Sequence, residues 1–296
     1  MSTVAVATPV ERERAAAAAS RGRAVLPWVA TGAAFLVLFA GPMADLAKQW
    51  WTDPNAGHGL LLAPIALYLA WRTGVRPDAK GQPVLGLCLL VVSVLLRYVG
   101  ALAAELFTMR TSLVGAIVAL IVFAWGARQL VRWWLPLTLV VLSVPLPTVV
   151  LNSAAFPLQL EASKMGAALL AWRQIPVLLD GNVIRLPGHT LFVTEACSGL
   201  RSLAALVALG VLIAGLWLKK PPVRLLLIAA AIPVAILLNG IRVFLTGFLV
   251  FFVDPKLGEG FMHLTEGWII FVFAFAILGG LAWVLVRLER LWGRAA

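Results

Sequence analysis

The sequence is poor in charged residues and in the residues that usually build metal or redox sites. Of its 296 residues only 12% are charged, and it holds three histidines and two cysteines. Because 62% of the residues are hydrophobic, no soluble core could hide the apolar surface, which excludes a soluble globular domain. The histidines and cysteines lack metal-ligand spacing, and neither a glycine-rich phosphate loop nor a nucleophile elbow occurs. The sequence therefore predicts an integral membrane protein with no metal and no other cofactor.

The scarce charge has one dominant sign, since the formal net charge is +11. The cations cluster in short loops between apolar runs, which is the positive-inside pattern of a membrane protein and not the signature of nucleic-acid binding. The richer set of loops contains Arg21, Arg23, Arg72, Arg76, Lys80, Arg128, Arg132, Lys219, Lys220, Arg224, Arg287, Arg290 and Arg294. We therefore expect both termini in the cytoplasm, the loops near 45–58, 153–197 and 251–265 outside, and no nucleic-acid partner.

The apolar runs predict an all-α polytopic membrane protein with about eight transmembrane helices. The expected spans are 25–44, 59–71, 84–101, 111–127, 133–152, 199–217, 223–250 and 266–286. Residues 1–24 are Ala-rich and predict a disordered cytoplasmic tail, residues 25–288 a transmembrane domain, and residues 289–296 a cytoplasmic C-terminal tail.

The longest interruption between apolar runs covers residues 153–197. Residues 155–174 are apolar apart from a few charges, and they predict either an interfacial amphipathic helix or a ninth, poor span. Turn signals at Asp180-Gly181-Asn182 and Pro187-Gly188 flank a β-prone stretch at 183–186. A small extracytoplasmic β-hairpin or meander is expected to follow the amphipathic segment.

The end of this interruption contains a cysteine among polar neighbours, in residues 195–202. Cys197 follows Glu195 and precedes Ser198 and Arg201. Ser198 is a plausible helix cap, and the helix dipole together with Arg201 would lower the pKa of the thiol and favour the thiolate. The functional interpretation is a nucleophile at the outer membrane surface, and the alternative is a small buried thiol.

Two further polar residues lie on one face of an apolar run. Arg242 follows Asn239 by about one helical turn, so the two side chains share a face. A guanidinium is costly in an apolar helix and is usually functional there, for instance in binding a carboxylate or a developing oxyanion. The alternative is an arginine that snorkels to the headgroups.

The remaining candidates are histidines near the expected outer boundary. His263 precedes the last span and is suited to general acid/base work, or else is a solvated loop residue. His58, at the mouth of the second span, either binds substrate and supports the site or belongs to the turn before the helix. Helix rise predicts that His58, Cys197, Arg242 and His263 share a depth about 27–36 Å above the cytoplasmic boundary. Cys88 lies mid-span, cannot reach Cys197 for a disulfide, and is expected to serve packing.

These residues resemble the exosortase/archaeosortase family, multi-pass membrane proteins that act like cysteine transpeptidases. The resemblance covers most of residues 45–286. It is carried by residues 195–202, by Asn239-Gly240-Ile241-Arg242, and by the later His263, with support from Gly57-His58-Gly59 and Gly181-Asn182-Val183-Ile184. The resemblance implies that Cys197, Arg242 and His263 form the catalytic set.

The resemblance also implies a substrate class, namely exported proteins with a C-terminal sorting signal. That signal consists of a short motif (Pro-Glu-Pro in many bacterial systems), a membrane helix and a basic cluster, often within exopolysaccharide-linked systems. Cys197 would cut near the motif and pass the new C-terminus to an unknown acceptor nucleophile, with membrane lipids surrounding the enzyme. Two rival functions remain, a transporter and a non-enzymatic scaffold for exopolysaccharide assembly.

Overall fold

The computed structural model describes residues 9–53, 55–193, 200–254 and 260–295, and side chains within 29–53, 55–147, 149–193, 202–254 and 269–291. Over these residues the protein is helical apart from one small sheet. The helices are α1 (Pro9–Thr52), α2 (Gly59–Thr73), α3 (Pro83–Leu102), α4 (Leu106–Trp125), α5 (Arg128–Arg132), α6 (Trp134–Ser143), α7 (Thr148–Trp172), α8 (Leu200–Trp217), α9 (Pro221–Phe252) and α10 (Gly260–Ala295). The strands are β1 (Leu178–Asp180), β2 (Val183–Leu186) and β3 (His189–Phe192).

The predicted class, a helical polytopic membrane protein with a small sheet, is confirmed. Five helices of the described chain have stretches long and apolar enough to cross a membrane. Three shorter apolar helices accompany them: Gly59–Thr73, Trp134–Ser143 and Ser202–Trp217. Helix α1 begins at Pro9, inside the region predicted as a disordered tail, and the proposed domain boundaries stay a prediction.

One expected span is wrong as a continuous helix. Residues 133–152 were expected to form a single span, but α6 ends at Ser143 and α7 begins at Thr148. Pro145 and Pro147 explain the break, because each lacks a backbone N–H and disfavours helical geometry in the residue before it. Helix α6, with 10 residues, is only about 15 Å long, which is about half of a hydrocarbon core.

Helix α7 contains both the end of that expected span, residues 148–152, and most of the expected amphipathic segment, residues 155–172. It is 25 residues long and does not count among the described helices apolar enough to span a membrane. Ser163 is fully buried and Gln159 is 7% exposed, while Glu161 and Lys164 pair at 2.8 Å on the exposed side. This polar content on both sides explains why the apolar periodicity of the segment was weak.

Several contacts align the ends of the helices on one side of the bundle, here called the basic end. The Arg132 guanidinium donates to the Thr73 carbonyl at 2.8 Å, and the Arg224 guanidinium lies 4.8 Å from the centre of the Trp134 ring. The Glu289 carboxylate accepts hydrogen bonds from the backbone N–H groups of Lys219 and Lys220. Helices α6, α8, α9 and α10 therefore share a reference level, from which distances along each helix can be compared.

The predicted hairpin or meander is confirmed as a three-stranded antiparallel sheet of order β1-β2-β3. Leu178 pairs with Arg185 and Leu186 with His189, so both turns coincide with the expected turn signals. Ile184 is fully buried against a cluster that also contains Leu170 of α7 and Val243 of α9. The sheet is thus anchored on α7 and α9 immediately before the polar segment that contains Cys197.

Candidate functional site

Helices α8, α9 and α10 pack against one another around a shared apolar core. Leu206 of α8, Leu227 and Ala231 of α9, and Leu278 and Ala282 of α10 are at most 1% exposed in this core. The three helices follow one another in the chain, and both α8 and α10 contact α9. Any residues that these three helices carry at the same level therefore come together in space.

A cavity opens between these three helices at the end of the core away from the basic end. Its lining residues are Ser202, Leu206, Ala235, Leu238, Asn239, Arg242, Ile270, Phe271 and Ala274. Three of them are polar, one hydroxyl, one amide and one guanidinium, and the other six are apolar. A few polar groups in a mostly apolar recess are typical of ligand sites, because the apolar walls exclude water and strengthen polar interactions.

Distances along the helices confirm that the polar lining residues share a level. Arg242 lies about 27 Å along α9 from Arg224, and Phe271 lies about 27 Å along α10 from Glu289. Ser202 lies about 26 Å along α8 and its last turn from Lys219. The polar residues of the cavity therefore lie at similar distances from the basic end, and their depth in the membrane stays a prediction.

Asn239 and Arg242 lie on the face of α9 that lines the cavity, as their spacing predicts. Asn239 is 6% exposed, and the Arg242 side chain is partly buried. The Thr246 hydroxyl donates to the Arg242 carbonyl at 3.0 Å, so the next polar residue of α9 bonds to the helix backbone. The amide of Asn239 and the guanidinium of Arg242 thus both belong to the wall of the cavity.

The position of α9 depends on close packing against α7. A Cβ atom built on Gly240 would lie 2.7 Å from Cβ of Met165, and one built on Gly166 would lie 2.5 Å from Cγ1 of Val243. Both contacts are closer than real Cβ atoms tolerate, so only glycine allows this separation of the helices. The glycine between Asn239 and Arg242 therefore packs α9 onto α7, while its two polar neighbours line the cavity.

Several predicted site residues lie outside what the structure describes. Glu195, Cys197 and Ser198 are outside the described residues altogether. Arg201 and His263 are on the described helices α8 and α10, but their side chains are not described. Position 201 directly precedes Ser202, and position 263 lies about two helical turns from Ile270. The predicted roles of these five residues stay predictions.

His58 lies in a different place from the cavity. Its Nε2 atom is 3.2 Å from the Leu142 carbonyl at the end of α6, and the neighbouring Ser143 carbonyl accepts a 2.7 Å hydrogen bond from Trp50 Nε1. These two side chains satisfy carbonyls that the early end of α6 leaves without helical partners. His58 is about 21 Å from Arg72 along α2, and it does not line the cavity that contains Arg242. Its predicted role stays a prediction.

The partly buried position of His58 makes the stability of the folded protein depend on pH. Burial holds the pKa of His58 below its usual 6.5, against the opposing effect of the Leu142 and Asn55 backbone groups. Below about pH 6.5 the unfolded chain then binds more protons than the folded chain, so the stability that is present above this pH is lost as pH falls. We expect the melting temperature to fall between about pH 7.5 and pH 5.5, and to fall less in His58→Gln, whose amide can still donate to the Leu142 carbonyl. An equal fall in both proteins, measured by thermal unfolding in detergent, would assign the effect to another group.

Ser202 is a cavity residue that the sequence did not single out as a site residue. It was only part of the motif that contains the cysteine, and its hydroxyl lies in the first turns of an otherwise apolar helix. The sequence offered one signal for Ser202, its spacing of five residues from Cys197. That spacing does not predict which way the Ser202 side chain faces, because the residue at which α8 begins could not be read from the sequence.

The comparisons with known proteins identify a family. A family model described as transmembrane exosortase matches residues 50–280, which include α2 to α9, most of α10 and every predicted site residue. No curated protein and no solved structure matches the chain. Because this match covers well over half of the sequence, the chain belongs to the transmembrane exosortase family.

Proposed function

We propose that the protein is a membrane-embedded cysteine transpeptidase or protease that cleaves the C-terminal sorting signals of exported proteins. The observation that carries this proposal is the cavity between α8, α9 and α10, where Arg242, Asn239 and Ser202 meet. The polar segment with Cys197 leads into α8, and His263 belongs to α10. Arg242 and His263 are therefore on two helices that pack against α8, the helix that follows Cys197 in the chain.

In the proposed first step, the Cys197 thiolate attacks the carbonyl carbon of the scissile peptide bond. The bond between that carbon and the leaving nitrogen breaks, and His263 as general acid gives the leaving amine its proton, which leaves a thioester on Cys197. In the second step an acceptor nucleophile or water attacks the thioester, gives its proton to His263, and releases the thiolate. The proposal places both steps at the outer membrane surface, so the acceptor nucleophile must reach the thioester there.

Arg242 is proposed to stabilise the oxyanion or to hold a substrate carboxylate. A guanidinium offers parallel N–H donors that match either group, and the apolar lining of the cavity strengthens the interaction. Asn239, one turn away, can add an amide donor from the same helix face. Glu195, Ser198 and Arg201 are proposed to support the thiolate, and His58 to support the site through α6.

A transporter is the second candidate, because one specific observation favours it. The break between α6 and α7 is a discontinuous helix, which is typical of transporter binding sites. Transport would not require a thiol, so Cys197→Ala would leave it intact. Conversion of a precursor that depends on Cys197 therefore separates the two functions.

The proposed location is the inner membrane, with both termini in the cytoplasm and the cavity near the outer surface. The basic end carries Arg132, Arg224 and Arg287, as the positive-inside pattern requires of a cytoplasmic side. The substrate's membrane helix would dock laterally among the spans, so its motif would reach the cavity from the outer side.

Accessibility to a membrane-impermeant maleimide tests this orientation. On the background of a chain without its native cysteines, a cysteine introduced by Lys256→Cys is expected to react in intact cells, because position 256 lies in the proposed outer loop between α9 and α10. Lys220→Cys, at the basic end, is expected to react only after the membrane is permeabilised. The reverse labelling pattern would place the cavity on the cytoplasmic side, where an exported substrate could not reach it.

A further inference from the structure

A second group of intramembrane cations lies on the α3–α4 hairpin, away from the cavity. Arg97 is about 21 Å along α3 from Pro83, and Arg110 is about 22 Å along α4 from Trp125. Gly100 faces Met109 across the hairpin, so the two arginines lie at similar levels. Both are thus near the membrane boundary opposite the basic end, and neither belongs to the proposed catalytic set.

The described residues do not satisfy these two guanidinium groups. Arg110 is only 7% exposed, and the buried Nε atoms of Arg97 and Arg110 have no hydrogen-bond partner within the described part of the chain. The ion pairs between described residues, all within 4.0 Å, involve neither arginine. A buried guanidinium N–H without an acceptor is costly in a membrane helix and points to a ligand.

The surroundings indicate where such a ligand comes from. Helix α3 packs chiefly against α4, and its remaining surface is open to lipid, with Leu95, Leu96 and Val99 all exposed. The Arg97 guanidinium lies 5.3 Å from the ring centre of Tyr98, which is half exposed, and 5.9 Å from that of Phe39 on α1. Amphipathic aromatic side chains at this depth are typical of the headgroup level, where phosphate groups are the available anions.

The charged residues around Arg110 indicate how much negative charge the bound anion carries. Asp45, Glu105 and Asp53 act electrostatically on Arg110, and Lys48 of α1 lies among them in the sequence. The Glu105 carboxylate caps α4 by accepting hydrogen bonds from the backbone of Phe107 and Thr108. Because three acidic groups offset most of the local positive charge, a singly charged phosphodiester is favoured over a doubly charged phosphomonoester.

We infer that Arg97 and Arg110 form a binding site for the phosphodiester of a membrane phospholipid in the leaflet opposite the basic end. The phosphate enters laterally from the lipid that covers α3 and accepts hydrogen bonds from both guanidinium forks. The acyl chains then lie along the exposed apolar surface of α3. The inference concerns lipid binding alone and does not depend on the proposed peptidase activity.

Native mass spectrometry of the detergent-solubilised full chain, titrated with phosphatidylglycerol, tests the inference. The wild-type protein is expected to retain one phosphatidylglycerol more tightly than diacylglycerol, which lacks the phosphate. Arg110→Gln and Arg97→Gln are each expected to weaken that retention about tenfold, as loss of one charge-assisted partner implies. Arg173→Gln removes an exposed arginine outside the hairpin and should leave retention unchanged.

Two results would overturn the assignment. Equal retention by the wild type and both variants would show that the arginines only anchor the hairpin. Complete displacement of the lipid by inorganic phosphate at equal concentration would assign the two arginines to a free phosphate and not to a lipid. If Arg110→Gln fails to fold, as judged by size-exclusion chromatography, the partly exposed Arg97→Gln still decides between these results.

Discussion

Replacing Cys197 by alanine is expected to abolish precursor processing while expression and membrane insertion stay at wild-type levels. The physical reason is that the thioester step requires a thiolate, and Cys197 is the cysteine of the proposed catalytic set. The measurement is conversion of a secreted reporter that carries a Pro-Glu-Pro motif, a membrane helix and a basic cluster. It should be made in a host that lacks any other enzyme of this family.

The matched control is the other cysteine, at position 88. Cys88 lies on the exposed surface of α3, away from the cavity between α8, α9 and α10. Cys88→Ala is therefore expected to process the reporter at close to the wild-type rate. If the Cys197→Ala protein converts the reporter as fast as the wild type, the nucleophile is elsewhere and the proposed mechanism is wrong.

The second large effect is expected at Arg242. Lysine retains the positive charge but loses the planar fork that binds a carboxylate or an oxyanion through two parallel hydrogen bonds. Loss of one transition-state donor costs on the order of 10²–10³ in rate. We therefore expect Arg242→Lys to insert normally and to process the reporter at least about tenfold more slowly.

Arg224 on the same helix provides a control for an anchoring arginine. Its Nε donates to the Leu218 carbonyl at 2.9 Å, and its guanidinium lies over the Trp134 ring at the basic end. Arg224→Lys keeps a cation that can still contact the ring, so processing should change little. Near-normal turnover in both lysine variants would make Arg242 an anchor as well and remove it from the proposed mechanism.

Much of the membrane fold could be predicted from the sequence because its signals are local. Apolar length predicted the helices that become α2, α3, α8, α9 and α10, and glycine-containing turns predicted the sheet before Cys197. The spacing of Asn239 and Arg242 placed both on one face of α9, since helical periodicity holds wherever the helix forms. Pro145 and Pro147 also indicate the break at residues 144–147. The continuous apolar run around them nevertheless led to the prediction of one span in place of two helices.

The packing partners of these helices could not be predicted, because they depend on contacts between residues far apart in the chain. Apolar composition alone did not reveal that Trp50 and His58 satisfy the carbonyls at the end of α6, away from the residues that line the cavity. Nor did it reveal that Ser202 joins Asn239 and Arg242 in one cavity. Lipid solvates every apolar face alike, so hydrophobicity places a helix in the membrane and leaves the choice of neighbour to shape and hydrogen bonding. The sequence by itself thus determined the membrane class, the helical faces and the chemistry available, whereas only the tertiary structure decided which polar residues meet, because that depends on the packing of separate helices.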